Sequence, residues 1–173
     1  VSGLAPPSPY QWSVADVATA AVLNAQLYTG LTFLLGPPIA IYAQTSAQAV
    51  ASTTATAITW PTPSVDTYGG YSAGSPTRYT PQQAGYYLTM ATVAYAPNAT
   101  GGRGAAINKN GSTLAQSTVG SAGSVYATNA PIVFPVYCNG TTDYLEIGAA
   151  QNSGVSLNTQ ITVTNFAAFF IHV

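Results

Sequence analysis

A chain of 173 residues, 47% of them apolar, is long enough to enclose one core of ordinary domain size, and 12 Tyr, 5 Phe and 2 Trp exclude a disordered composition. Only 4% of the residues are charged and the net charge is -1, against about 25% charged in an ordinary domain, so the surface consists of hydroxyls and amides and little repulsion keeps copies apart. Three scattered basic residues cannot track a phosphate backbone, and Val14 to Leu35 is too polar for a membrane span, so nucleic acid and membrane are excluded as partners.

In chain order, residues 1–12 carry Pro6, Pro7 and Pro9 ahead of Tyr10 and Trp12 and read as an extended arm. No charged segment followed by an apolar one marks a signal peptide. Ser13 is a good N-cap, with Asp16 three residues on, and Gly36-Pro37-Pro38 supplies a stop. The spacing predicts a helix over Val14 to Leu35, about 22 residues and roughly 33 Å long. Val17, Ala20, Asn24, Leu27, Leu31 and Leu34 fall at alternating spacings of three and four, an a/d seam with an amide at an a-type position. That seam packs on sister subunits, on a neighbouring protein, or on its own domain.

From Ile39 onward the pattern is all-β. Ile39 to Gln44 reads as a short strand, Ala49 to Trp60 as a Thr- and Ala-rich strand region, and Ser64 to Pro76 as a loop. Tyr86 to Tyr95 is the strongest strand. Arg103 to Lys109 and Ser112 to Thr118 form a hairpin, because Asn110-Gly111 suits the positive backbone angles of a two-residue turn. Ser124 to Thr128, Ile132 to Asn139, Thr142 to Gln151, Val155 to Leu157 and Gln160 to Val173 follow. Roughly nine or ten strands with a turn signal about every ten residues indicate a sandwich or jelly roll. The expected division is 1–38, arm and helix, and 39–173, the β domain.

Tyr86 to Tyr95 is apolar on both alternating sets, and so is Phe166 to Val173. A strand with one wet face alternates more cleanly. One side of each strand therefore packs on its own core, and the other requires a second body.

Catalytic groups are sparse. His172 is the one histidine and sits in an apolar strand near the C-terminus, where a structural or edge position suits it better than a base. Cys138 is the one cysteine, so there is no internal disulfide, and no charge near it in sequence lowers its pKa. Asp143 and Glu146, three apart on an expected strand, point to opposite faces. The four acids lie too far apart for a carboxylate cage, and Gly101-Gly102-Arg103-Gly104 lacks the lysine and helix of a phosphate loop. No catalytic residue, metal site or cofactor is assigned. Tyr68, Tyr71, Tyr126 and Tyr137 are candidates for sugar binding, since a tyrosine offers an apolar face with a polar tip. The alternative for each is packing or an interface.

Four stretches in order resemble the globular heads of complement C1q and tumour-necrosis-factor-like proteins: Thr80-Pro81 through Gly85-Tyr86-Tyr87-Leu88; Ala106-Ile107-Asn108-Lys109-Asn110-Gly111; Asn139 to Ile147, with its Asp displaced; and Thr164 to Ile171, with Ala in place of the family's Gly. The resemblance covers about half of the chain. It implies a ten-stranded jelly roll that assembles as a tight homotrimer with aromatic residues along the threefold axis. Tyr86, Tyr87, Leu88, Met90, Phe166, Phe169 and Phe170 are the interface candidates under that reading.

Gln11-Trp12-Ser13-Val14-Ala15-Asp16 through Ala20-Ala21-Val22-Leu23-Asn24, and on to Phe33-Leu34-Leu35-Gly36-Pro37-Pro38, resembles a segment that begins short virion proteins of tailed phages infecting actinobacteria. The combined expectation is a non-enzymatic virion protein made in the host cytoplasm, anchored by arm and helix, with a trimeric knob on the particle surface. Its partners would be itself and the major capsid protein or tail proteins. Capsid decoration is the first expectation; a minor tail or fibre protein binding a host-surface glycan is the second.

Overall fold

The computed structural model describes residues 10–161 and 163–173. The prolines of the expected arm lie outside these residues. The first described segment folds back on itself. The Asp16 carboxylate accepts from the Ser13 backbone N–H at 2.6 Å and from the Tyr10 hydroxyl at 3.1 Å, and Ala15 takes a φ of 81°. These hydrogen bonds, the Ser13 backbone N–H first, hold the Asp16 carboxyl below its ordinary pKa.

The helix is therefore shorter than the sequence predicts. A carboxylate that bonds nearby backbone competes with helix formation, so Ser13 and Asp16 close a turn and Thr19 becomes the N-cap, its hydroxyl accepting from the Val22 N–H at 3.3 Å. Val17 falls before the helix, a correction to the six-residue seam. The helical run consists of α1 (Ala20–Leu23), a π-helical turn (Asn24–Tyr28) and α2 (Thr29–Leu35). The Thr29 N–H reaches the carbonyl of Asn24, which inserts one residue into the turn.

Among the described residues twelve strands follow: β1 (Ile39–Ala43), β2 (Ala49–Val50), β3 (Thr56–Ala57), β4 (Val65–Asp66), β5 (Arg78–Tyr79), β6 (Ala84–Tyr95), β7 (Gly102–Lys109), β8 (Ser112–Gly120), β9 (Thr128–Asn139), β10 (Leu145–Gln151), β11 (Leu157–Asn158) and β12 (Asn165–His172). One antiparallel sheet has the order β4-β1-β12-β6-β9. The other has the order β3-β10-β7-β8, with β5 also on β10, and β11 pairs with β2. This is the expected jelly-roll sandwich. The Asn110-Gly111 turn has φ of 53° and 79°, as a two-residue hairpin requires.

Several strand boundaries differ from expectation: β9 begins earlier, at Thr128, and β12 later, at Asn165. The region 49–60 pairs as strands at Ala49–Val50 and Thr56–Ala57, with a single bridge from Ser52 to Gln151; Val65–Asp66 forms a strand inside the expected loop, and Ser124 to Ala127 is loop. Asp143 also lies before β10 rather than on it.

The core lies between the two large sheets. Tyr42 stacks on Phe166 with centroids 5.3 Å apart, and Trp60 and Tyr79 pack around them. Ile107, Leu145 and Ile147 face them from the second sheet, all buried. Arg103 is fully buried as well. Its guanidinium donates to the carbonyls of Thr100, Gly102 and Asn98 at 2.9–3.1 Å and so fixes the loop before β7. Burial lowers its pKa.

Candidate functional site

The two large sheets present unlike faces to the outside. On the second sheet, Gly104, Ala106 and Asn108 of β7 alternate with buried Arg103, Ala105 and Ile107, and pair with Thr118, Gln116 and Thr113 of β8. Gly148 sits beside Ala57 and Ala106. That face is small and polar, as a wet sheet face is.

The first sheet differs. In β6, odd residues Tyr87, Thr89, Ala91 and Val93 are buried while Tyr86, Leu88, Met90 and Thr92 face outward. The register continues this outward row sideways. Leu88 pairs with Phe169, and Phe169 with Ile39; Met90 pairs with Ala167, Ala167 with Ile41, and Ile41 with Val65. On the other flank Tyr86, Leu88 and Met90 lie beside Tyr137, Pro135 and Val133 of β9. Tyr86, Tyr137 and Val133 are 42%, 46% and 59% exposed. The result is one apolar surface across five strands with no Asp, Glu, Lys or Arg among the residues named. Pro131 and Pro135 remove backbone donors from the edge strand β9, so an approaching body meets the face rather than extending the sheet.

At one end of this face Tyr86 stacks on His172, with centroids 5.2 Å apart, and meets Tyr137 edge-on. Gly85 makes the closure possible: at φ 147°, a Cβ there would lie 2.5 Å from the His172 carbonyl and from the Phe170 ring. The helical run is rooted at the same end, where Phe33, 6% exposed, meets Phe170 edge-on at 5.2 Å. Val22, Gln26, Thr29, Gly30 and Phe33 form its more buried side. Leu27 and Leu31, each 56% exposed, point away from the domain, and Leu34, 73% exposed, lies at the edge of the joint with Phe170 and Ile171.

Of the seven interface candidates, Tyr86, Leu88, Met90 and Phe169 lie on the outward face. Tyr87 and Phe166 do not: they are 0% and 2% exposed within their own core and have no surface left for a second chain. Phe170 fills the joint between Tyr87 and Phe33. Sequence reasoning missed Ile39, Ile41, Val65 and Val133, whose shared face exists only through strand register.

The tyrosine candidates separate. Tyr68 and Tyr71 follow β4, whose chain leaves the sheet toward Ile39, with the Thr67 N–H bonding the Ile39 carbonyl at 3.0 Å. Tyr126 precedes Thr128, which pairs with Tyr95 at the opposite end of β6. Tyr71 is a packing residue, with its ring against Tyr42, its hydroxyl on the Trp60 carbonyl and its N–H on Asp66. Tyr126 is 72% exposed. Tyr68 and Tyr71 thus lie toward one end of the sheet and Tyr126 toward the other.

Asp143 accepts from Lys109 Nζ at 2.8 Å, from Asn110 Nδ2 at 2.7 Å and from the Asn139 N–H at 2.9 Å, tying β7, β9 and β10 together. The Lys109 ammonium leads in holding its carboxyl below the usual carboxylate range. Arg78 pairs with Glu146 at 3.3 Å on the second sheet. Cys138 is fully buried, and burial pushes its thiol up to about 12. Among the described residues no three His, Cys, Asp or Glu groups come together, and no helix is long and apolar enough to cross a membrane.

No protein-family model matches the sequence, and no curated protein does. Solved structures match in fold. Murine APRIL at pH 5.0 superposes with a TM-score of 0.60 at 14% identity, covering 78% of this chain and 98% of that one. Murine APRIL at pH 8.0 gives 0.59 at 15% identity over the same shares. The Eiger TNF of S. frugiperda gives 0.58 at 10% identity, covering 78% of this chain and 93% of that one. The chain has the jelly-roll fold of tumour-necrosis-factor-like proteins.

Proposed function

We propose that this chain is a non-enzymatic structural protein of a phage virion, assembled as a homotrimeric knob on the particle surface and anchored by its N-terminal segment. The observation that carries the trimer is the contrast between the two sheets: the outward face of β4-β1-β12-β6-β9 is built of large apolar side chains that carry no charge, while that of β3-β10-β7-β8 is built of small and polar ones. Contiguous apolar patches of this kind are rare on a monomer and mark association. Three copies around an axis cover the first face in a closed ring and leave the second facing water. The fold shared with tumour-necrosis-factor-like structures supports that arrangement.

The virion assignment rests on the N-terminal likeness to phage structural proteins and on the near absence of charge. Capsid decoration ranks above a glycan-binding tail role, because the tyrosine candidates for glycan binding lie at opposite ends of the sheet and Tyr71 is engaged in packing. Sedimentation of the purified chain tests the trimer: a mass three times 17.7 kDa supports it, and a single-chain mass at micromolar concentration overturns it. Copy number on purified particles tests the role. Hundreds of copies per particle indicate decoration; a few at the tail tip indicate adhesion.

A further inference from the structure

We infer that the helical run Ala20–Leu35 is a threefold neck: the exposed leucines of three sister copies pack against one another in parallel above the sheet interface. The inference rests on the homotrimer reading and deepens it by assigning an occupant to a surface that the domain leaves bare.

Leu27, Leu31 and Leu34 are more than half exposed, at spacings of four and three, the spacing of an a/d seam. A lone helical run of about 24 Å is marginal in water without an apolar partner. Its own domain supplies one contact side, through Phe33 on Phe170. Beside that joint a largely apolar groove of about 350 Å³ is lined by Gly30, Phe33 and Leu34 of the helical run and by the chain from Phe170 to Val173, His172 included.

Continuity selects sister copies as the occupant. The groove borders the end of the uncovered sheet face where Tyr86 and His172 stack, and α2 is joined to β1, a strand of that face, by Gly36-Pro37-Pro38 alone. An assembly that closes the sheet faces around an axis therefore brings three helices to the same end, in the same direction. Nothing repels them, for no Asp, Glu, Lys or Arg lies between Asp16 and Asp66. Tyr28 and Leu35, 68% and 87% exposed, lie off the leucine seam and stay available to the particle.

Cross-linking of the full-length chain tests this. Leu31→Cys is oxidised under mild conditions and run on a denaturing gel without reductant; the native thiol, Cys138, is buried and stays silent. The expected result is a disulfide joining two of the three chains, formed at least tenfold faster than with Thr118→Cys on the polar face of the second sheet. Equal rates for the two variants, with a trimeric mass retained, overturn the neck and leave the trimer standing. A single-chain mass for the unmodified protein overturns both. As a second measure, Leu27→Asp with Leu31→Asp should raise the concentration at which the trimer half-dissociates by tenfold or more. An unchanged midpoint counts against the neck.

Discussion

Replacing Leu88 by Asp places one carboxylate at the centre of the uncovered sheet face, between Phe169 of β12 and Pro135 of β9. Leu88 is half-buried in the single chain, so covering the remainder contributes about 1 kcal/mol per copy, half of the ~2 kcal/mol for full burial. Removing the new carboxylate from water costs several kcal/mol more, about 3 as a low figure. The total is about 4 kcal/mol per copy, or about 12 per trimer. At about 1.4 kcal/mol per tenfold, that is roughly nine orders of magnitude in the trimer dissociation constant. The half-dissociation concentration varies as the square root of that constant, so it rises by about four orders of magnitude.

The single chain should hardly notice, since an outward substitution off the core changes stability by about half a kcal/mol. Sedimentation at micromolar concentration should therefore show folded single chains, with an unchanged far-ultraviolet spectrum. Gln116→Asp, on the small polar face of the other sheet, is the matched control and should stay trimeric. Leu88→Asp at trimeric mass would refute the reasoning, as would Gln116→Asp dissociating to the same degree.

Other perturbations probe the scaffold. Tyr87→Ala, which empties a fully buried site, should cost about 3–5 kcal/mol in chemical denaturation, distinguishing it from its outward neighbour Leu88. Gly85→Ala should cost about 1–3 kcal/mol, because its Cβ meets the His172 carbonyl at 2.5 Å; melting temperature reports it. Asp143→Asn removes the acceptor charge for Lys109 and should cost about 1.5–3 kcal/mol. The pH sign follows from the depressed carboxyl of Asp143. Its stabilisation is complete above the unfolded value of about 4 and is lost as pH falls through the lower folded value, so acid should narrow the gap between wild type and Asp143→Asn in denaturation series from pH 6 to pH 2.

The doubled apolar pattern of Tyr86 to Tyr95 was enough to say that this strand needs cover on two sides, and the structure gives it a core face and a bare face. It was not enough to assign residues to those faces at every strand. Tyr87 and Phe166 have the same chemistry as Tyr86 and Phe169, and only the direction of each Cβ separates a core residue from a surface one. The helix start was misplaced for a related reason. Ser13 and Asp16 have the composition of a capping box, yet Asp16 bonds back to Ser13 across Ala15 at positive φ, and Thr19 caps instead. The tyrosines could not be placed relative to one another from the sequence, because only the fold sets Tyr68 and Tyr71 toward one end of the sheet and Tyr126 toward the other.

By itself the sequence determined the class of fold, the Asn-Gly hairpin and the surplus of apolar surface, since periodicity, turn chemistry and composition are local properties of the chain. The tertiary structure alone decided where that surplus lies. Ile39, Ile41, Val65, Leu88, Phe169 and Val133 are scattered from one end of the β region to the other, and they become one face only because antiparallel register sets them side by side across five strands.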